Sequence, residues 1–177
     1  MTPDERLLEV EGGPLAALHW PAPGGRRVLA LHGWLDNAAS FLPIAPHLPG
    51  LDLVALDLPG HGRSAHLPPG AEYSLAGTVL AVLDAADALG WDRFAVLGHS
   101  MGASIGCLVA AAAPERVDRL VAIEALGALA EAEERTAQRL REAIAARRVL
   151  RGKRLRTFPD VETAVRARAQ ANAMDDA

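Results

Sequence analysis

A serine that could act as a nucleophile lies in the segment 98–102, whose residues are Gly-His-Ser-Met-Gly. The segment has the pattern G-x-S-x-G. It separates an apolar run typical of a buried strand from a run of small residues typical of a helix. A sharp turn between the two would strain the backbone at Ser100 and expose its hydroxyl. Gly98 and Gly102 lack a Cβ, so they permit the close approach that such a turn requires. The pattern predicts a nucleophilic serine, and a plain glycine-rich turn is the simpler alternative.

Backbone amides that could stabilise negative charge lie in a second segment. The apolar run 27–31 is followed directly by His32, Gly33 and Trp34. A His-Gly turn at the carboxyl end of a strand can direct a backbone N–H into a site. We therefore predict the amides of Trp34 and Met101 as the two donors of an oxyanion hole. The side chain of His32 is interpreted as a hydrogen-bonding support for the turn, because the motif requires the backbone at this place.

A third segment contains strong turn residues. An apolar run ends at Leu56, and residues 57–64 follow as Asp-Leu-Pro-Gly-His-Gly-Arg-Ser. Two glycines and a proline in so short a stretch indicate a tight loop at the end of a strand. His61 lies inside this loop and is interpreted as a packing residue.

In this order, the three segments resemble the α/β-hydrolase superfamily, and residues 31–41 most resemble its serine hydrolase-like branch. The match extends over about residues 6–125. The resemblance implies Ser100 as the nucleophile of a serine hydrolase, next to the two oxyanion donors. The turn 98–102 that carries Ser100 is called the elbow. The resemblance also implies residues that support the elbow and the turn after the run 27–31, namely His32, Gly33, Gly98, His99 and Gly102.

The resemblance also implies the fold. We expect an α/β protein with a mostly parallel sheet and helices on both faces, without the last strands of the family and with a partial helical cap. Residues 1–126 would form the N-terminal part of the hydrolase core. Residues 127–177, which match more loosely, would form the start of the cap.

The base and the acid of a catalytic triad are harder to place. The family order is Ser, then Asp or Glu, then His, but no histidine follows His99 in this sequence. His99 itself is not expected to be the base, because a neighbour on a strained turn points elsewhere. Glu124, at the end of the apolar run 117–123, is a candidate acid, with a rim residue facing the cap or water as the alternative. We therefore expect a truncated hydrolase that is inactive as it stands.

Composition limits the other classes of function. The chain has 177 residues, and half of them are apolar. Its net charge is −4, without the broad basic surface that would attract nucleic acid. One cysteine excludes an internal disulfide. Neither a signal peptide nor a run long enough to cross a membrane is found, and no cluster predicts a metal or a cofactor. We expect a cytoplasmic enzyme with a small acyl substrate and without a nucleic-acid or membrane partner.

Alternating apolar runs predict the secondary structure. The expected strands are 7–11, 15–20, 27–31, 52–57, 93–98 and 117–123. The expected helices are 38–47, 75–89, 101–113, 128–150 and 161–171. With no seventh strand to cover it, the apolar stretch 120–123 would be an open edge, so we expect poor solubility or self-association through that edge.

Two classes of function remain open. The first is a serine hydrolase that cleaves esters, thioesters or related acyl compounds through an acyl-enzyme at Ser100. Serine at this position argues against epoxide hydrolase and haloalkane dehalogenase chemistry, but C–C bond hydrolases and perhydrolases stay possible. The second class is a non-catalytic binding or scaffold protein with the same fold.

Overall fold

The computed structural model describes residues 2–68, 71–127, 132–150 and 157–171. The chain forms two compact units, which divide between residues 130 and 131. Sequence reasoning placed the boundary between residues 126 and 127. Each unit is described by itself.

The first unit is built on a six-stranded sheet with the order β1-β2-β4-β3-β5-β6. Its strands are β1 (Asp4–Leu8), β2 (Leu15–Trp20), β3 (Arg26–Leu31), β4 (Leu51–Leu56), β5 (Phe94–His99) and β6 (Val117–Ile123). The pairs β1–β2 and β2–β4 are antiparallel, whereas the pairs β4–β3, β3–β5 and β5–β6 are parallel. The predicted mostly parallel sheet is confirmed.

Helices cover both faces of the sheet, as predicted. One face packs against α1 (Leu75–Ala88) and α2 (Met101–Ala112), and the other against two short 3-10 helices, Ala38–Phe41 and Ala45–His47. Successive side chains of a strand point to opposite faces of the sheet, so alternate residues belong to different apolar layers. In β3, for example, Leu29 and Leu31 belong to the first layer, while Val28 and Ala30 belong to the second.

The predicted helix 38–47 is wrong in type. The structure has two 3-10 helices there, with bonds such as the one from Leu42 N–H to Ala39 C=O at 3.0 Å. Pro43 and Pro46 have no N–H to donate, so a continuous α-helix would lose two of its backbone bonds.

The predicted first strand, 7–11, is displaced. The observed strand β1 pairs from Asp4 with His19 to Leu8 with Leu15. The turn that follows begins already at Val10, whose C=O accepts a bond of 3.0 Å from Gly13 N–H. Gly13 has φ 101°, which glycine adopts without a steric penalty.

The second unit contains three helical segments in its described part. They are a 3-10 helix at Glu133–Arg135, α3 (Thr136–Leu150) and α4 (Val161–Ala171). Helix α4 has the predicted bounds. Helix α3 begins later than the predicted 128–150, of which residues 128–131 lie outside the described residues. Among the described helices of both units, none is long and apolar enough to cross a membrane.

Candidate active site

Four residues with chemically useful side chains directly follow the four parallel strands. His32 follows β3, Asp57 follows β4, Ser100 follows β5 and Glu124 follows β6. Because parallel strands end at the same edge of a sheet, these residues share the carboxyl edge. In open α/β sheets this is the edge at which ligands bind.

Ser100 occupies a strained turn between β5 and α2. Its φ and ψ are 50° and −115°, and a positive φ is uncommon for any residue other than glycine. The backbone N–H of Ser100 donates to Ile123 C=O at 2.9 Å, and its own C=O accepts from Ala103 N–H at 3.0 Å and from Ser104 N–H at 3.1 Å. Bonds to β6 on one side and to α2 on the other thus hold the conformation. Such strain is frequent at functional sites.

The two glycines of the elbow permit this turn because the backbone around them leaves no room for a Cβ. A Cβ placed on Gly98 would lie 2.5 Å from Ala103 Cα, and a Cβ on Gly102 would overlap the carbonyl of Leu31. Neither position accepts a side chain without a backbone shift. Helix α2 therefore starts in direct contact with the end of β3 and β5.

The loop after β3 comes close to the nucleophile. A Cβ placed on Gly33 would lie 3.6 Å from Ser100 Cβ and 3.1 Å from His99 Nδ1. The amide of Trp34 follows directly, so the loop brings it next to the elbow. Met101 is the first residue of α2, where backbone N–H groups have no partner within the helix. The structure thus brings together the two segments whose amides were predicted as oxyanion donors.

His32 is buried and bound to the backbone at both ring nitrogens. Nδ1 lies 2.8 Å from Gly33 O, and Nε2 accepts a bond of 3.0 Å from Leu58 N–H. Burial lowers the pKa of His32, against the opposite effect of the bond to Gly33. The ring is therefore neutral at pH 7, with Nδ1–H as donor and Nε2 as acceptor. It has no free nitrogen for accepting a proton from Ser100.

Asp57 is a second buried polar residue at this edge. One carboxylate oxygen accepts from Ala38 N–H at 2.7 Å, and the other accepts from Arg63 N–H at 2.7 Å. Its C=O accepts from the hydroxyl of Ser64. Sequence reasoning took the loop 57–64 as turn chemistry only and assigned no role to Asp57. Its place directly after an apolar parallel strand was the available signal.

His99 and Glu124 are in contact at the rim. His99 Nε2 lies 3.0 Å from Glu124 Oε2, and their side chains are 42% and 66% exposed. Glu124 has φ 69°, a second positive φ at this edge. The two residues were considered separately in the sequence. The register of β5 and β6, which pairs His99 with Ile123, brings them together.

His61 packs against the loop that follows β3. Its ring centroid lies 5.0 Å from that of His32 and 5.7 Å from that of Trp34, both in edge-on arrangements. Its Nδ1 lies 3.1 Å from Pro59 O. These contacts are those of a packing residue on the loop.

A cavity of about 700 Å³ lies at one side of this edge. Its lining includes Asn37, Ala38, Asp57 and Arg63 but not Ser100. The volume is within the range of small-molecule sites. The lining of the cavity does not include residues 98–102, and the backbone geometry of Ser100 marks the candidate active site.

Comparison with known proteins bears on the fold of the chain. A family model described as alpha/beta hydrolase fold matches residues 26–167. The human serine hydrolase-like protein is 42% identical over 131 residues, which are 73% of this chain and 64% of that protein. The serine hydrolase-like protein of Danio rerio is 40% identical over 126 residues, which are 71% of this chain and 39% of that protein. The chain thus spans less than two thirds of these curated relatives.

Solved structures show the same fold. The crystal structure of a hypothetical protein from Pseudomonas aeruginosa has a TM-score of 0.86 and 46% identity, with 94% of this chain and 59% of that chain covered. A thioesterase domain from the curacin biosynthetic pathway has a TM-score of 0.77 and 29% identity, with 97% of this chain and 62% of that domain covered.

Proposed function

The chain belongs to the alpha/beta hydrolase fold family, and on that premise we propose that it is a serine hydrolase acting on esters or related acyl compounds through an acyl-enzyme at Ser100. The observation that carries the proposal is the strained turn at Ser100, with φ 50°, beside the Gly33 loop. Acyl transfer requires a nucleophile that a substrate can reach and backbone donors beside it, and Ser100 is half-buried at this strand edge.

The proposed reaction has two halves. The Ser100 oxygen attacks the carbonyl carbon of the substrate while its proton passes to a base. The carbonyl oxygen becomes an oxyanion, which accepts bonds from the amides of Trp34 and Met101. Collapse of this intermediate expels the alcohol or thiol, which takes the proton. Water then attacks the acyl-enzyme by the same steps and releases the acid.

The base is the open part of this scheme. His32 is bound at both nitrogens, and no histidine follows His99 in the sequence. We therefore infer that this chain forms the acyl-enzyme slowly unless an imidazole reaches Ser100 from another polypeptide segment. Glu124 stays the candidate acid for orienting such an imidazole.

An apolar acyl group suits the surroundings of Ser100. Trp34 and Leu35 follow Gly33 and are 68% and 58% exposed, although both are large apolar side chains. Large apolar side chains next to polar catalytic groups are common in small-molecule sites. We propose that they contact the acyl part of the substrate.

The test measures hydrolysis of p-nitrophenyl esters by the chain alone and after addition of a C-terminal segment. That segment is the part of the Pseudomonas aeruginosa relative which this chain does not match. We expect turnover in the complemented sample, its loss in Ser100→Ala, and its retention in the matched control Ser104→Ala. Equal turnover by wild type and Ser100→Ala would overturn the proposal.

A non-catalytic binding or scaffold protein is the second candidate. It is favoured by His32, the buried histidine at this strand edge, because both of its ring nitrogens are bound to the backbone and neither can act as a base. A complemented protein that is folded but turns over no acyl substrate would support this second candidate. Carbon–carbon bond hydrolysis or perhydrolysis would use the same serine and is distinguished by supplying the corresponding substrates.

A further inference from the structure

We propose that Asp57 is a positioning residue, whose carboxylate fixes the place of the Trp34 amide in the oxyanion hole. The inference rests on the proposed function. Asp57 does not touch the reacting atoms in this account. It acts through Ala38, which ends the loop that carries the amide.

The oxyanion loop, residues 33–37, is anchored at its two ends to two adjacent residues that follow β4. At its start, His32 Nε2 accepts from Leu58 N–H at 3.0 Å. At its end, Ala38 N–H donates to an oxygen of Asp57 at 2.7 Å. The dipeptide 57–58 thus holds the loop before Gly33 and after Asn37. A loop fixed at both ends has few positions available for the amide between them.

Side-chain packing holds this loop in part, through the edge-on contact of the Trp34 ring with His61 at 5.7 Å. Trp34 and Leu35 are 68% and 58% exposed, and Leu35 has φ 55°, a strained conformation for a residue of its kind. The loop has one weak internal backbone bond, from Asp36 N–H to Gly33 C=O at 3.3 Å. Strain of this kind persists only when surrounding contacts enforce it. The two anchors are hydrogen bonds that fix the ends of the loop to residues 57 and 58.

The carboxylate of Asp57 is itself rigidly held. Its second oxygen accepts from Arg63 N–H at 2.7 Å, and a Cβ on Gly62 would overlap the carboxylate. The C=O of Asp57 accepts from Ser64, whose hydroxyl accepts in turn from Ala16 N–H at 2.9 Å. Asp57 is only 7% exposed, so water cannot replace these bonds freely. The loop end is therefore tied to an immobile group.

Two backbone donors explain why the residue is an aspartate. Each oxygen of the carboxylate accepts one N–H, from Ala38 and from Arg63. Asparagine has nearly the same shape but offers one acceptor and one donor. In Asp57→Asn one of the two N–H groups would face an NH₂ group. The loop end would then move while the fold around it stays the same.

Asp52 provides a matched control. It lies near the amino end of β4, the strand that Asp57 follows, and its carboxylate also accepts two bonds. These come from His19 at 2.7 Å and from Ala22 N–H at 3.3 Å. Asp52→Asn is the same chemical change on the same strand at the opposite edge of the sheet. Both bonds end on the same oxygen, which asparagine can retain as its amide oxygen, so this variant reports what loss of the carboxylate charge does to the fold alone.

The test compares the two variants in the complemented protein. Its readouts are the rate of Ser100 phosphonylation by a fluorophosphonate, the kcat and KM for an ester, and the ¹H–¹⁵N signal of the Trp34 amide. We expect Asp57→Asn to lower the phosphonylation rate and kcat about tenfold to a hundredfold, with KM nearly unchanged, because a misplaced oxyanion donor acts on the transition state. Asp52→Asn should leave all three readouts at the wild-type values.

Equal effects of the two variants, or a folded Asp57→Asn protein with wild-type rates and an unmoved Trp34 signal, would overturn the inference. If the wild-type protein neither labels nor turns over, the proposed function fails instead. The Trp34 signal then decides the positioning claim on its own, since it requires no catalysis. A shift in Asp57→Asn alone supports the claim, and equal signals in all three proteins overturn it.

Discussion

Gly33 lies so close to Ser100 that a Cβ on the glycine would come within 3.6 Å of the Cβ of the serine. The two residues are far apart in the sequence, but Ser100 directly follows β5 and Gly33 lies one residue beyond His32, which follows β3. β3 and β5 pair in register from Val28 with Ala95 to Leu31 with Gly98. This pairing places the loop that carries the Trp34 amide beside the proposed nucleophile.

Substitution of Gly102 tests the geometry of the elbow. In Gly102→Ala the new methyl group would overlap the carbonyl of Leu31, so backbone must move. We expect the free energy of unfolding to fall by about 3 kcal/mol, as for an overpacked core. Urea denaturation measures it. Gly12→Ala is the control, since a Cβ at Gly12 would meet nothing within 4 Å. Equal stability of the two variants would contradict the described elbow.

The buried ring of His32 predicts how stability depends on pH. Its pKa is lowered from the ordinary 6.5, chiefly by burial. The unfolded chain therefore binds a proton at a higher pH than the folded protein does. The contribution of His32 to the free energy of unfolding is complete above pH 6.5 and decreases as the pH falls from there towards the folded pKa.

Urea denaturation at a series of pH values checks this dependence. The wild-type protein should lose stability below pH 6.5 faster than His32→Asn, because the variant has no group with this shift. The other histidines remain in both proteins and cancel in the comparison. Identical pH profiles would show that the ring is not buried as described.

Glu124→Gln tests the contact of Glu124 with His99 at the rim. Both partners are well exposed, so we expect the free energy of unfolding to change by less than about 1 kcal/mol. The activity of the complemented protein separates the two interpretations of Glu124. A triad acid would lower kcat by roughly 10⁴ on this change, whereas a rim residue would leave it near the wild-type value. A large loss of stability would contradict the exposed position.

The expected self-association depends on the exposed edge of strand β6. This strand is an edge strand of the sheet, and Val121 and Ile123 on it are 55% and 41% exposed. Unpaired edges with apolar side chains favour pairing with a second copy. We expect concentration-dependent dimers in sedimentation, and weaker association in Val121→Lys. A monomer at every concentration would contradict the expectation.

The strands and the order of the three motifs could be predicted from the sequence, because apolar runs and glycine turns are local signals. Strand β2 and helix α4 have the predicted bounds. The 3-10 helices after Asn37 were missed, since apolar periodicity was given more weight than Pro43 and Pro46. An α-helix and a 3-10 helix differ in their backbone hydrogen bonds, which apolar periodicity does not report.

The contacts across the site could not be predicted in the same way. The bond from Ala38 to Asp57 and the contact of His99 with Glu124 each join residues at or beyond the ends of different strands. Whether such side chains meet depends on strand register, and a shift of one residue would turn them to opposite faces. The residues can be read from the sequence, but the strand register that brings them together cannot.

The most direct measurement of the central claim is the site of modification by a fluorophosphonate. The complemented protein is labelled, digested and mapped by mass spectrometry. A phosphonyl adduct on Ser100, absent from Ser100→Ala and retained in Ser104→Ala, is the result expected of an activated nucleophile. An adduct on another residue, or none on Ser100 in a folded sample, would contradict the claim.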